Sequence, residues 1–185
     1  MTEIGDGTDL PVAAQLAAQQ DKVDEFLTEV GADTLAKSVV GQGKLRDVWI
    51  LRFLIGFKWK PKECAEKFRN MINYRVAQGC DAIRAEIEGG NITPPAFPGY
   101  KEHHDAYVCT LDLCSGRAKS GGPICIECTP KFDFDTLFGL DPALQDGYAI
   151  HNLEWQIYLL DQLYLETGYL KGIVKIFDLD KVGSQ

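Results

Sequence analysis

The sequence predicts an α/β protein in which an all-helical N-terminal part is followed by an incomplete sheet with a helical crossover. Residues 11–88 have apolar positions at helical spacing. Beyond them, two short apolar runs at 123–129 and 172–178 flank a long helical segment at 142–167. A strand, a long helix and a strand form a crossover unit, which implies parallel pairing. The almost wholly apolar second strand also predicts a sheet covered on both faces.

The N-terminal part is expected to consist of helices at 11–30, 44–57, 61–78 and 81–88. Gly31 and Gly79 end the first and third of these. The second is apolar nearly all round, so it should be mostly buried, with Arg52 as the exception. The Lys-Trp-Lys-Pro break leaves Pro61 in the first turn of the next helix, where proline is well tolerated.

The C-terminal part is expected to begin after a connector at 89–100 that is dense in glycine and proline. Strands are predicted at 107–113 and 123–129, joined by a polar loop, with a short helix or turn at 132–139. One side of the long helix should be apolar, and Gly168 should cap it. The residues expected on that side are Leu144, Tyr148, Leu153, Ile157, Leu160 and Tyr164.

These elements divide the chain into three regions. Residues 1–34 form a loose tail (1–10) and a helix, residues 35–90 a helical domain, and residues 95–185 a mixed domain that is truncated at its C-terminal side. The stretch from 89 to 100 separates the helical part from the mixed part.

The charge of the chain argues against general nucleic-acid binding. The net charge is −8, whereas a phosphate backbone requires a surplus of Lys and Arg. Residues 44–75 nevertheless carry nine basic and three acidic residues. Such a segment could favour an anionic membrane surface, although a solvated helix face is the interpretation that we prefer. No run of 18 apolar residues and no secretory signal is apparent, so we expect a cytoplasmic protein that is peripheral to membranes.

The six cysteines are expected to be reduced packing residues rather than metal ligands. Cys109 and Cys114, and then Cys125 and Cys128, are spaced closely enough to suggest zinc. The second pair lies in a strand-like run, however, whereas a zinc knuckle prefers a turn between its ligands. We therefore expect neither a metal nor a cofactor.

Signatures of catalysis are missing from the sequence. It contains no G-x-S-x-G elbow, glycine-rich phosphate loop or H-E-x-x-H motif. His103 and His104 are expected in a loop, and His151 on the long helix is expected to be a satisfied structural residue. Neither Cys125 nor Cys128 heads an anion-binding loop. We therefore expect a protein that is not an enzyme.

Three stretches, in order along residues 35–183, carry a family resemblance. The first is DVWILRFLIGFKWKPKECAEKFRNMINYR, the second is GGPICIECTPKFD and the third is GYLKGIVKIFDLDKVG. The first resembles the small helical domain that precedes a CRAL-TRIO lipid-binding domain. The second and third resemble that family's Gly-Arg-Pro strand and its strand ending in Asp-Leu-Lys-Gly.

The resemblance implies a carrier or sensor of a hydrophobic ligand that catalyses no reaction. Family members bind phosphoinositides, phosphatidylcholine, tocopherol or retinoids in an apolar pocket gated by a mobile helix, and they transfer or present them. The expected partners are thus a phospholipid or other hydrophobic ligand and, transiently, a membrane surface. The second half of the family's lipid domain would follow the last strand, so we expect a fragment of that domain.

Several positions depart from the family pattern. Ile55-Gly56-Phe57 replaces the second Arg after Arg-Phe-Leu, and Gly122 stands where the Arg of Gly-Arg-Pro would be. In phospholipid-transfer members, hydroxyl residues on the last strand touch the choline-lipid head. The matching positions here are Ile173 and Lys175.

Strand alternation places Ile173, Lys175, Phe177 and Leu179 on one face of the last strand. A bare lysine there is costly, because burying an ammonium without a partner is unfavourable. Lys175 should therefore pair with a carboxylate, with Glu127 as the candidate, or lie on a wet face, or meet a ligand phosphate or carboxylate. The lipid-binding residues expected from the resemblance and this face are Cys125, Glu127, Ile173, Lys175 and Phe177.

A protein-interaction or regulatory module is the alternative function. Some family members act beside regulators of small GTPases, and a chain without a gate could retain only a protein-binding surface. In that case a protein partner replaces the lipid.

Overall fold

The computed structural model describes residues 10–107 and 116–179. Residues 1–9 of the predicted tail, most of the predicted strand at 107–113, Cys109 and Cys114 lie outside these ranges. The chain divides into two compact units. Unit 1 comprises Met1–Asp81 with Asp161–Lys171, and unit 2 comprises Ala82–Leu160 with Gly172–Gln185.

The described part is mainly helical, with a two-stranded parallel sheet, so it is a mixed α/β structure. The helices are α1 (Val12–Ala17), α2 (Gln20–Val30), α3 (Ala32–Leu35), α4 (Arg46–Gly56), α5 (Pro61–Ala77), α6 (Cys80–Glu88), α7 (Tyr100–Ala106), α8 (Phe134–Gly139) and α9 (Pro142–Thr167). The strands are β1 (Ile124–Cys128) and β2 (Val174–Asp178). Among the described residues, no helix is both long and apolar enough to cross a membrane.

Most predicted helices are confirmed, and the first is divided. The backbone of Gln19 leaves the helical region, with φ −131°, so residues 11–30 form α1 and α2. Neither glycine nor proline marks this break in the sequence. Gly31 ends α2 with a positive φ of 81°, and Pro61 begins α5, as expected.

The core of unit 1 is built by aromatic and aliphatic side chains of α2, α4 and α5. The Phe68 ring meets the Phe26 and Phe53 rings edge-on, with centroids 5.4 and 5.0 Å apart. Cys64 is fully buried beside them in α5, and this burial raises the pKa of its thiol to about 12. The thiol therefore stays protonated and packs as a small apolar group, as the sequence predicts.

A buried polar group, here named the Trp49 cluster, consists of Trp49, Arg52, Arg75 and Asp161. Asp161 is fully buried, and its carboxylate accepts hydrogen bonds from Arg52 Nη1 at 2.5 Å and Trp49 Nε1 at 3.3 Å. The guanidinium carbons of Arg52 and Arg75 lie 5.4 and 5.5 Å from the Trp49 ring centroid. Arg52, the exception in an apolar helix, thus stabilises a carboxylate on α9.

Arg75 connects this cluster to the start of α6. Its guanidinium donates to Asp81, which also accepts from the Ser38 hydroxyl and the Val39 backbone amide. Burial alone would raise the pKa of Asp81, but these hydrogen bonds outweigh burial and hold the pKa below its ordinary value. The Asp81 carboxylate is therefore charged at neutral pH and joins three segments of unit 1.

The turn between α4 and α5 contains two consecutive non-glycine residues in the left-handed region. Lys58 has φ 54° and Trp59 has φ 57°. The Lys58 amide donates to Ile55 O at 3.0 Å and the Trp59 amide to Leu54 O at 2.6 Å, the pattern of a helix end that usually uses glycine. Each left-handed residue with a side chain costs on the order of 1 kcal/mol.

Three expectations for unit 2 are corrected. His103 and His104 lie on α7, not in a loop, because Gly99 turns the chain into a helix with a positive φ of 69°. Leu144 and Leu153 on α9 are exposed, so the apolar side is interrupted, and Glu154 is buried instead.

The third correction concerns the sheet, which the described residues do not cover on both faces. Every residue of β2 is exposed, with Val174 at 39% and Phe177 at 54%. The apolar sequence of a strand does not determine whether its faces are buried, because the covering side chains must come from other helices or strands.

We expect Lys58→Gly to raise the free energy of unfolding by up to about 1 kcal/mol, because glycine adopts the left-handed backbone without steric cost. Urea denaturation measures the change. Lys62→Gly is the matched control: it lies inside the first turn of α5, so it should lower stability by roughly 0.5–1 kcal/mol. Equal destabilisation by both substitutions would contradict a strained turn.

Asp161→Ala should lower the free energy of unfolding by about 3–5 kcal/mol, because it leaves the Arg52 guanidinium without its buried partner. The double variant Arg52→Met/Asp161→Leu should recover most of that loss. Glu63→Ala removes the partner of an exposed ion pair with Lys60 and should change stability by less than about 1 kcal/mol. Chemical denaturation of all three variants checks the order, and a similar loss for Asp161→Ala and Glu63→Ala would refute it.

Candidate functional site

The parallel pairing of β1 with β2 brings four of the five predicted site residues to one face of the sheet. Cys125 lies opposite Lys175, and Glu127 lies opposite Phe177. Paired residues share a face, and so do residues two apart along a strand. Ile173 lies one residue before β2 and is half-buried. The register therefore assembles residues that are 48 to 52 positions apart in the chain.

Lys175 and Glu127 form an ion pair on this face. The Lys175 Nζ donates to Glu127 Oε1 at 3.0 Å, which is the first of the three alternatives considered for this lysine. The Glu127 side chain is only 6% exposed, whereas that of Lys175 is 47% exposed. The carboxylate is thus desolvated and needs its donors, while the ammonium remains open to solvent.

Tyr107 is the second donor to Glu127. Its hydroxyl lies 2.5 Å from Oε2, so each carboxylate oxygen accepts one of the two hydrogen bonds. The Tyr107 ring stacks on Phe132, with centroids 4.1 Å apart, which fixes the direction of the hydroxyl. Sequence reasoning assigned Tyr107 to a strand and missed this role, since no local pattern joins it to a residue twenty positions away.

Cys125 is a fully buried neighbour of the ion pair. Its Sγ lies 3.9 Å from Glu127 Oε1, at the limit of a weak hydrogen bond. Cys128 belongs to the opposite face and is half-buried. Within residues 10–107 and 116–179, no group of three His, Cys, Asp or Glu residues could hold a metal ion.

Apolar side chains beside the ion pair are open to solvent. Phe177 and Leu179 are more than half exposed, on the side where Lys175 lies. A cleft of about 220 Å³ lies in unit 1, where residues of α1, α2 and α4 line it. It is therefore not the pocket predicted at the sheet. In the described part of the chain, the β2 side of the predicted pocket face is therefore open to solvent, whereas Cys125 and Glu127 on its β1 side are buried.

Gly122 lies where two segments of the backbone approach closely. A Cβ at this position would collide with the carbonyl oxygen of Gly172, the residue that leads into β2. An arginine could not occupy it without separating the chain segments that enter β1 and β2. Glycine is therefore required here by a close backbone approach rather than by its dihedral freedom.

The histidines of unit 2 are packed by aromatic rings. His151 Nδ1 lies 2.8 Å from Gly147 O, and its ring contacts Phe97, which confirms the expected structural role. The His103 ring stacks on Tyr148 with centroids 4.1 Å apart.

No protein-family model, curated protein sequence or solved structure matches this chain.

Gly122→Ala should destabilise the fold by at least about 1–3 kcal/mol, because an added methyl group at this closely packed position forces the backbone apart. Gly172→Ala is the matched control, since a Cβ there meets nothing within 4 Å. Thermal unfolding of both variants tests the difference. Equal unfolding temperatures would show that the two segments do not approach as described.

Proposed function

We propose that the chain is a CRAL-TRIO-type lipid-binding protein that binds a phospholipid-like ligand and transfers or presents it without catalysis. The order of its elements supports this proposal. A helical unit carrying the Arg-Phe-Leu helix and the basic-aromatic turn precedes a parallel strand pair joined by a long helical crossover. The family resemblance lies in those same segments.

The observation that carries the proposal is the Lys175–Glu127 pair beside exposed apolar side chains. A half-exposed ammonium next to Phe177 and Leu179 offers one polar anchor and an apolar surface to the same ligand. Amphiphilic ligands are recognised by such a combination, because a few polar groups orient a mainly apolar contact. Glu127 and Tyr107 serve as positioning residues that hold the lysine in place.

The ligand class that fits this face is a lipid with a phosphate or carboxylate in its head group. Lys175 would meet the anion, while Phe177 would contact the hydrocarbon chain. Glu127 already neutralises part of the Lys175 charge. The head-group anion would therefore join an existing ion pair as a third charged group, rather than bind an unpaired cation. The protein would then act at the cytoplasmic face of membranes and use no cofactor.

Native mass spectrometry after incubation with phospholipid vesicles tests lipid capture. We expect one bound phospholipid in the parent chain and about tenfold weaker capture by Phe177→Ala, because a buried phenylalanine side chain contributes on the order of 1.5–3 kcal/mol. Ile176→Ala is the matched control, since it removes an exposed apolar side chain from the opposite face of the same strand.

Two lysine variants separate ligand contact from folding. Lys175→Met should lose lipid, but it also leaves the buried Glu127 carboxylate without its lysine partner. Lys175→Met/Glu127→Gln replaces that carboxylate with a neutral amide and should lose lipid equally. Circular dichroism confirms that each is folded. Absence of any lipid on the parent chain, or equal loss with Ile176→Ala and Phe177→Ala, would refute the proposal.

A protein-interaction module is the second candidate function. The exposure of Val174, Ile176 and Phe177 favours it, because a strand with apolar side chains on both faces can dock against a protein partner. A vesicle-to-vesicle transfer assay with fluorescent phospholipid distinguishes the two functions. A lipid carrier accelerates transfer, whereas an interaction module leaves the rate at that of vesicles alone.

A further inference from the structure

We infer that the turn between α4 and α5 is a membrane-docking element that recognises the anionic surface of a phospholipid bilayer. This Lys-Trp turn is defined by Lys58, Trp59, Lys60 and Lys62, with Lys22 of α2 beside it. The inference concerns unit 1 alone and does not require the lipid-binding face of unit 2.

Among the described residues, the ion pairs of unit 1 leave two lysines of this turn without a carboxylate partner, as they do Lys44 and Arg69. Within the described residues, five of the nine bases at 44–75 lie within ion-pair distance of a carboxylate: Arg46, Arg52, Lys60, Lys67 and Arg75. Arg46, Lys60 and Lys67 pair on the exposed surface, whereas Arg52 and Arg75 belong to the Trp49 cluster. Lys58 and Lys62, both exposed, have no ion pair among the described residues.

An aromatic ring lies among these cations. Trp59 is half-buried, and the Lys22 ammonium lies 6.0 Å from its ring centroid. Tryptophan prefers the boundary between lipid head groups and water, where its apolar ring and its polar N–H are both accommodated. Exposed lysines on either side of it would meet the phosphates of the same head-group layer.

The strained backbone supports a role other than folding. Both Lys58 and Trp59 occupy the left-handed region, where glycine would be the more stable residue. Strained backbone conformations concentrate at functional sites, where the surrounding structure holds them in place. The turn thus projects a lysine and a tryptophan from a position that stability alone would assign to glycine.

The proposed partner is identified by two properties: a negatively charged surface and an apolar interior directly beneath it. The chain as a whole has a net charge of −8, so a general attraction to polyanions is opposed at long range. A cluster of lysines around one tryptophan requires an anion layer next to an apolar phase, which a bilayer containing anionic lipid provides and a free polyanion lacks.

Vesicle sedimentation of the full chain tests the inference. The parent should bind vesicles of phosphatidylcholine with phosphatidylserine and release them at high salt, and it should bind phosphatidylcholine vesicles much more weakly. Lys58→Glu/Lys62→Glu should reduce binding at least about tenfold, since each well-placed lysine adds measurably to attraction by the surface. Lys37→Glu/Lys119→Glu, with the same charge change at exposed lysines elsewhere, is the control.

Two further variants separate docking from folding. Lys58→Gly, which should fold at least as stably as the parent, should bind phosphatidylserine vesicles several-fold more weakly. Vesicles should also shift the tryptophan emission to shorter wavelength in Trp155→Phe but not in Trp59→Phe. Equal binding by the two double variants, indifference to phosphatidylserine, or retention on immobilised polyglutamate without vesicle binding would each overturn the inference.

Discussion

The buried carboxylate of Asp161 is the constraint on which the helical unit depends. It is fully buried, and within its unit it accepts hydrogen bonds from Arg52 and Trp49 of α4. A charge in such a place is tolerated only when it is paired and hydrogen-bonded, so the end of α9 can pack in one position along α4. Arg75 extends the network across the Trp49 ring to Asp81, which fixes the start of α6.

A comparable constraint operates in the sheet of the second unit. Gly122 and the carbonyl of Gly172 approach so closely that a Cβ on Gly122 would collide with the segment that enters β2. The register then sets Lys175 opposite Cys125 and brings its ammonium to Glu127. The candidate site is therefore a consequence of backbone packing, and its charges are compensated within the face itself. Compensation keeps the site stable while it remains open to solvent.

Stability and proposed function make opposite demands at two places. At the Lys-Trp turn, two residues with side chains occupy backbone conformations that suit glycine. In β2, apolar side chains are left exposed, although burying them would stabilise the chain. Both features are on surfaces that the proposals assign to lipid: a bilayer for the turn and a single lipid molecule for the strand. A protein that exposes apolar side chains for a partner is expected to be less stable when that partner is absent.

The sequence by itself determined the local elements and several of their contacts. Apolar spacing predicted α4, α5 and α9, and Gly31 and Pro61 marked helix boundaries correctly. The unusual lysine in an apolar strand, Lys175, pointed to Glu127 as a candidate ion-pair partner. These succeed because helix periodicity, glycine and proline act over a few residues. The tertiary structure alone decided that Asp161 is the partner of Arg52, that Tyr107 is the second donor to Glu127, and that β2 is exposed. The Arg52–Asp161 and Tyr107–Glu127 pairs, 109 and 20 residues apart, leave no local signal, because their proximity arises only when distant segments pack. Lys175 and Glu127 differ because both lie on strands that were expected to be neighbours.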